Sequence, residues 1–308
     1  AGTIWSAVEE SGLHLLAAPR PEGGDWLAAA AAVTKVCAEL AAPTPYADIA
    51  IVTAPVLGAA GLQVAAPIAL ADDGSSAGPE GGGLHLDVVA SDVAAARFTD
   101  SVAFVCDDTV AVVPRSSCRV TEDVNLAGES RDRLRFAGTV EAGSWSSVPG
   151  AAAEVRLRGA LARAVQICGA AAAALHASVA YANQRVQFGR PIARFQVVQH
   201  AIAELAVEVE AMTAASEAAV ATCAAAGFAS ARSRVAVAVA KAQASEGAGV
   251  VARIAHQVHG AIGTTKEHSL HLTTTRLWSW RDEYGSERVW QLELGRAALA
   301  EDVWEVVT

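Results

Sequence analysis

The chain has 308 residues, 53% of them hydrophobic and 18% charged, enough to bury one large core or several small ones. A net charge of −10 argues against nucleic acid as the main partner, since phosphate backbones require a basic surface. Cys37, Cys106, Cys118, Cys168 and Cys223 lie far apart, with no CxxC and no paired Cys/His spacing, so a zinc site or disulfide framework is not expected and free thiols in a reducing cytoplasm are.

Residues 1–65 read as helices. Trp5, Val8 and Leu13 begin an amphipathic pattern, and Pro19 to Asp25 (PRPEGGD) form a loop. The opening AGTIWSAVEESG lacks a basic n-region, so no signal peptide is expected. Trp26 to Leu40 is an alanine-rich helix stopped by Pro43 and Pro45, with a further short helix from Tyr46 to Thr53, before Pro55. No uninterrupted apolar run reaches the roughly 18–20 residues of a membrane span.

The stretch 66–142 changes character. Asp72 to Gly83 (DDGSSAGPEGGG) has neither helical nor strand period and reads as a loop. LHLDVV, SVAFVC, TVAVVP and RLRFAGTV read as strands, and Asp107-Asp108 as a tight hairpin. Together they predict a small antiparallel β-domain of roughly four to six strands.

From about residue 150 the pattern is helical again. Leu157, Leu161, Cys168, Ala172, Leu175 and Val179 form one apolar stripe; Phe195, Val198, Ile202, Leu205, Val209 and Met212 form another. Ser230 to His256 and Glu287 to Trp304 complete an expected four-helix bundle. The fold class is α+β, mostly α, with domains over 1–65, 66–145 and 146–308.

A di-metal carboxylate bundle needs Glu-x-x-His pairs; none occurs, and Glu204 and Glu208, one turn apart, read as a solvated face. No P-loop, Rossmann fingerprint or GxSxG is present. Two glycine-bearing segments carry the remaining chemistry: Tyr181 to Gln196 (YANQRVQFGRPIARFQ), and Gln257 to His271 (QVHGAIGTTKEHSLH) followed by Arg276 to Glu287 (RLWSWRDEYGSE). Gly189 permits the bend after Phe188, and Pro191 suits the first turn of the next helix. Arg185 can pair bidentately with a phosphate, while Gly260 and Gly263 would admit a ligand to the backbone. An anionic, partly aromatic ligand is one reading; a salt-bridged surface arginine and plain turn glycines are the other.

At these residues the sequence resembles the acyl-CoA dehydrogenase family. RVQFGRPIARFQVVQ is similar to its R-x-x-FG-x-x-I-x-x-x-Q signature, QVHGAIG to its Q-x-x-GG-x-G, and SGLHLLAAPRPEGGDW to its N-terminal GL…P…GG segment. The resemblance implies a helix–β–helix fold, FAD, and removal of two hydrogens from an acyl-CoA thioester, a proton from Cα and a hydride from Cβ to flavin N5. It implies that Arg185 contacts the FAD pyrophosphate. Gln187, Phe188 and Gln196 would line the adenosine half, with Gln257, Gly260 and Ala261, and beyond them Gly285 and Ser286, completing the cofactor contacts. Ala261 stands where the family has a second glycine. No metal is implied.

Two departures follow. The positions of the family's catalytic glutamate fall on Tyr284 and near Gly159, and neither is a carboxylate; a phenol with an ordinary pKa of about 10 is a poor base at neutral pH. Glu283, one residue away, is the candidate base that remains. The family's flavin-ring segments are also missing, with IALADDGSSAGPEGG in their place and no tryptophan between Trp26 and Trp145. The joint loss resembles the shorter, non-catalytic subunit of actinobacterial α2β2 steroid-CoA dehydrogenases, in which a longer partner carries the base. A self-sufficient homo-oligomeric dehydrogenase using Glu283 and a flavin-free scaffold are the alternatives.

Overall fold

A computed structural model describes residues 26–62, 68–72, 74–80 and 82–300. The amphipathic start at Trp5, the loop from Pro19 to Asp25 and the end of the last helix near Trp304 lie outside the described residues. The chain divides into two compact units. One holds Pro43–Gly159 with the described residues up to Ala30, the other Ala31–Ala42 with the described part of Ala160–Thr308.

Helix α1 (Trp26–Glu39) is as expected. In the first unit a π-helical turn, Asp48–Thr53, runs directly into α2 (Ala54–Ala59). Pro55 therefore does not end a helix. It lies at the start of α2 inside a continuous helical run, and the Ile51 carbonyl four residues before it accepts from Arg158 Nη1 at 3.3 Å.

Among the described residues eight strands follow: β1 (Ile68–Leu70), β2 (Ser76–Glu80), β3 (Gly83–Ala94), β4 (Ser101–Cys106), β5 (Thr109–Pro114), β6 (Arg119–Thr121), β7 (Arg131–Val140) and β8 (Trp145–Ser147). They form two four-stranded sheets, ordered β1-β4-β5-β8 and β2-β3-β7-β6. The four expected runs are β3, β4, β5 and β7. The expected antiparallel β-domain of roughly four to six strands is corrected in two ways: there are more strands, and β1 pairs with β4 in parallel. The expected loop from Asp72 to Gly83 is also corrected, because Ser76–Glu80 pairs with β3 from Ser76↔Asp87 to Glu80↔Gly83. Ladder bonding to a long neighbour makes a strand from residues of low strand propensity. Asp107-Asp108 is the expected two-residue turn, with Asp107 at φ 50° and Cys106 opposite Thr109. Leu84, Leu86, Val88 and Ala90 alternate along β3 into a core shared with Phe104, Leu134 and Phe136.

Helix α3 (Ala151–Gln184) starts in the first unit and continues into the second. There it is followed by α4 (Gln196–Ala226), α5 (Ala231–His259), α6 (Leu270–Trp280) and α7 (Glu287–Ala300). Among the described residues the expected four helices thus become five. The run Thr273-Thr274-Thr275 hides α6 from a propensity reading, since β-branched residues lose side-chain freedom in a helix. Ser230 caps α5 by accepting the Ser233 N–H at 3.0 Å.

The α4 stripe is buried at Leu205, Val209 and Met212, while Phe195, Val198 and Ile202 are half covered. The α3 stripe holds only to Cys168. Beyond it the buried side turns to Ala171, Ala174, Ser178 and Ala182, leaving Val179 38% exposed. The second unit packs its helices closely through small residues. A Cβ on Gly169 would lie 2.2 Å from the Lys35 carbonyl oxygen, and one on Gly247 2.5 Å from Met212 Sδ.

All five cysteines are free, with Cys106, Cys168 and Cys223 buried. Among the described residues one helix, α3, is long and apolar enough to cross a membrane by length and composition, and half of its most apolar window is buried in the protein.

Candidate functional site

Every residue singled out for chemistry lies in the second unit. After α3 the chain makes a two-residue ladder, β9 (Val186–Gln187) against β10 (Arg190–Pro191), with Arg190 opposite Gln187. The connecting Phe188 and Gly189 both take positive φ, 50° and 76°. That is the backbone of a type I′ turn, natural for glycine but disfavoured by about 1 kcal/mol or more for phenylalanine. The Phe188 ring is nevertheless 91% exposed. Among the described residues its ring contact is edge-on with Phe195 at 6.0 Å. A strained, water-facing phenylalanine has no packing explanation.

Pro191 closes the ladder instead of opening a helix. A 3-10 turn, Ile192–Arg194, intervenes and α4 begins at Gln196, which corrects the expected role of Pro191. The Arg190 guanidinium lies 4.3 Å above the Phe195 ring. Arg185 donates its backbone N–H to the Tyr181 carbonyl at 2.8 Å. Its side chain is exposed and has no hydrogen-bond or ion-pair partner among the described residues. Gln187 and Gln196 are exposed beside it.

Helix α5 ends at Gly260, whose φ of 62° and ψ of −146° open freely only to glycine, and whose N–H returns to the His256 carbonyl. Gly260 is thus required by the helix end, whatever else it contacts. Gly263 is buried, and a Cβ there would come 2.7 Å from that of His259. Ala261 sits in the 3-10 turn Gly260–Thr264, and together with Gln257 it is exposed. The two segments are tied together in this chain, because Tyr181 stacks on His259 with ring centroids 4.6 Å apart.

The stretch after α6 holds Glu283. Its carboxylate accepts from Arg163 Nε at 2.5 Å; Arg163 is 1% exposed in its side chain and Glu283 15%. Arg163 Nη1 also donates to Gln166 Oε1 at 2.6 Å, and its guanidinium lies 5.3 Å over the Tyr284 ring. Tyr284 and Gly285 take φ of 56° and 105°. At Gly285 a Cβ would stand 2.8 Å from Trp290 Nε1, so only glycine fits. Ser286 begins the turn into α7, its carbonyl accepting the N–H groups of Val289 and Trp290.

Lys241 supports the same stretch from α5. Fully buried, its ammonium donates to Ser245 Oγ at 2.9 Å, Arg281 O at 2.6 Å and Trp280 O at 3.3 Å. The last two carbonyls close α6, where a cation is favoured by the helix dipole. Burial, reinforced by the Arg163 charge, pulls its pKa down to about 7.

Reading the sequence missed Arg163, Lys241 and the ring stack. The signal was available: Arg163 stands among Leu161, Ala162, Ala164 and Val165, and Lys241 ends the run VAVAVAK. A lone cation inside an apolar helix needs a partner. Glu204 pairs with Arg253 at 3.1 Å on the surface, and the described residues hold no cluster of three or more metal-ligating side chains.

Comparison with known proteins bears out the family resemblance. Residues 153–296 match the family described as "Acyl-CoA dehydrogenase, C-terminal domain". The fold is shared with a chain of the solved ChsE4–ChsE5 complex from Mycobacterium tuberculosis, with a TM-score of 0.86 at 20% identity, covering 98% of this chain and 89% of that one. Two proteins named acyl-CoA dehydrogenase IpdE2 are similar over part of the chain. That of Mycolicibacterium smegmatis is 35% identical over 113 residues, 37% of this chain and 33% of its own length. That of Mycobacterium tuberculosis is 34% identical over 145 residues, 46% of this chain and 40% of its own. These matches span well under half of either relative.

Proposed function

We propose that the chain is a subunit of an FAD-dependent acyl-CoA dehydrogenase that introduces an α,β double bond into an acyl-CoA thioester of steroid side-chain or ring origin. On this proposal it completes the FAD site of a longer catalytic partner, in an α2β2 assembly in the cytoplasm, and does not supply the base. The observation that carries it is the Arg163–Glu283 pair. A general base must reach the proton it abstracts, and this carboxylate is already engaged by a buried guanidinium at 2.5 Å. Tyr284 beside it offers a phenol, not a carboxylate. The self-sufficient alternative would require Glu283 to leave Arg163 with its charge buried, which is costly.

The residues present fit one half of the cofactor. FAD, when bound, supplies the hydride acceptor; this chain's residues would hold its distal part. Arg185 offers a guanidinium fork, unpaired among the described residues, to the pyrophosphate. Gln187, Gln196 and Gln257 offer exposed amides, and Phe188 an exposed ring for stacking. Gly260 and Ala261 supply backbone on the segment tied to the Arg185 turn, whereas Gly285 and Ser286 follow Glu283, which is held at Arg163, roughly 30 Å up α3 from that turn. A flavin-free scaffold would leave the strain at Phe188 and the exposed Arg185 without a use. The similar ChsE4–ChsE5 structure is a complex of two differently named chains, in keeping with a heteromer. The division into 1–65, 66–145 and 146–308 is part of the same proposal.

The test is to purify the chain alone and coexpressed with a longer dehydrogenase subunit, recording visible spectra and turnover. Flavin absorbance and activity are expected only in the complex, and a yellow, active lone chain would overturn the proposal. In the complex, Arg185→Ala should lower FAD content; unchanged content would contradict the cofactor contact.

A further inference from the structure

His259 closes α5 and is 3% exposed. Its Nδ1 lies 2.8 Å from the Ala255 carbonyl, so that nitrogen carries the proton and donates it there. Nε2 is then a bare lone pair, buried and without a hydrogen-bond partner among the described residues. Rings surround it instead. Tyr181 stacks on one side at 4.6 Å, and His268 meets it edge-on at 4.7 Å and 66°. Tyr181 also meets His268 edge-on at 6.1 Å. His268 accepts the Leu270 N–H at Nδ1, 3.1 Å away.

Each ring belongs to a different segment. Tyr181 is on the last turn of α3, and its carbonyl receives the Arg185 N–H. His259 follows Gln257 by two residues and immediately precedes Gly260. His268 lies just before α6. Three parts of the chain therefore meet through flat faces around one imidazole.

We propose that His259 is a positioning residue: its stack with Tyr181 and His268 fixes the Gln257–Ala261 segment against the Arg185 turn, and a proton on Nε2 releases that segment. The inference rests on reading those two segments as cofactor contacts. The physical cause is local. A second proton would point an N–H into the rings, where no acceptor waits among the described residues, and burying an unsatisfied charged donor is unfavourable. The titratable groups facing His259 are Tyr181 from α3, His268 from the connection to α6 and His256 one turn earlier on α5. Among the described residues no carboxylate is paired with it, so the added charge meets no counter-charge. Burial, and then the neighbouring His268 and His256, hold its pKa below the ordinary value of 6.5, although the bond to Ala255 opposes this. With the folded pKa depressed, the stack's contribution is present above the unfolded pKa and is lost as pH falls through the folded value.

The experiment measures hydrogen–deuterium exchange of the chain in complex with its longer partner, at about pH 7.5 and about pH 5.5, corrected for intrinsic rates. FAD retained after gel filtration is read in parallel. Protection of 257–269 is expected to fall by at least ~tenfold at the lower pH while the middle of α5 keeps its protection, with FAD loss following. His259→Phe keeps a flat ring without a titrating group and should hold protection at both pH values. Should that variant fail to fold, Tyr181→Leu takes its place and should leave 257–269 unprotected at both. Protection independent of pH in the wild type, acid loss persisting in His259→Phe, or full protection in Tyr181→Leu would each overturn the inference. A complex lacking FAD at about pH 7.5, with exchange still following pH, would sink the cofactor reading and leave the acid-sensitive joint standing.

Discussion

Glu283→Gln separates the two roles that residue can have. If Glu283 is structural, the variant gives the buried Arg163 guanidinium a neutral amide in place of its carboxylate, beside Gln166 Oε1 and the Tyr284 ring. Breaking a buried ion pair from one side costs about 3–5 kcal/mol. Here the lower end applies, because Glu283 itself is 15% exposed and the amide oxygen can still accept one bond. About 3 kcal/mol is therefore expected for Glu283→Gln. Arg163→Met should cost less, about 2 kcal/mol, since the stranded carboxylate can reach water. The double variant should cost less than the sum, with a coupling of roughly 1–3 kcal/mol. Urea unfolding of the four proteins followed by circular dichroism measures this cycle, and turnover of the complex is recorded beside it. Two results would refute the reasoning: a loss below about 0.5 kcal/mol for Glu283→Gln, or intact stability and FAD content with abolished turnover. The second would make Glu283 the base.

Further predictions concern neighbouring features. Burial holds Lys241 at about 7, below its ordinary 10.5, so between those values the unfolded chain binds the extra proton. Stability should then rise with pH from about 7 to about 10, by up to ~1.4 kcal/mol per unit, and this slope should flatten in Lys241→Met when urea midpoints are compared. Gly169→Ala places a methyl 2.2 Å from a backbone carbonyl and Gly247→Ala 2.5 Å from the movable end of Met212. The first should lower stability by about 3 kcal/mol and the second by about 1, read as shifts in thermal midpoint. Phe188→Gly relieves a left-handed phenylalanine that is 91% exposed. It should leave the fold as stable or up to ~1 kcal/mol more so by thermal unfolding, while lowering FAD content of the complex. Equal FAD content would remove the ring from the cofactor site.

Much of this protein is legible in the order of its residues. Apolar steps of three and four mark α3 and α4, alternation marks β3, β4, β5 and β7, and the two-residue Asp107-Asp108 turn shows through its flanking strands. Local patterns of that kind survive folding because each residue's period reports the face it will bury. The two glycine-bearing segments, and a tyrosine and a glycine where the resembled family has its glutamate, were also legible, since they are facts of residue type and order.

The remainder depends on packing in three dimensions. Ser76–Glu80 is a strand because β3 lies beside it, and α6 exists despite three consecutive threonines. The late turns of α3 bury Ala174 and Ser178 in place of Val179 because small residues let neighbouring helices approach. Above all, the sequence left Glu283 as a carboxylate one residue from where a base should be, and only the folded chain brought Arg163, 120 positions earlier, to within 2.5 Å of it. Which charge a carboxylate meets depends on distances through space, and no local pattern encodes a contact of that sequence separation.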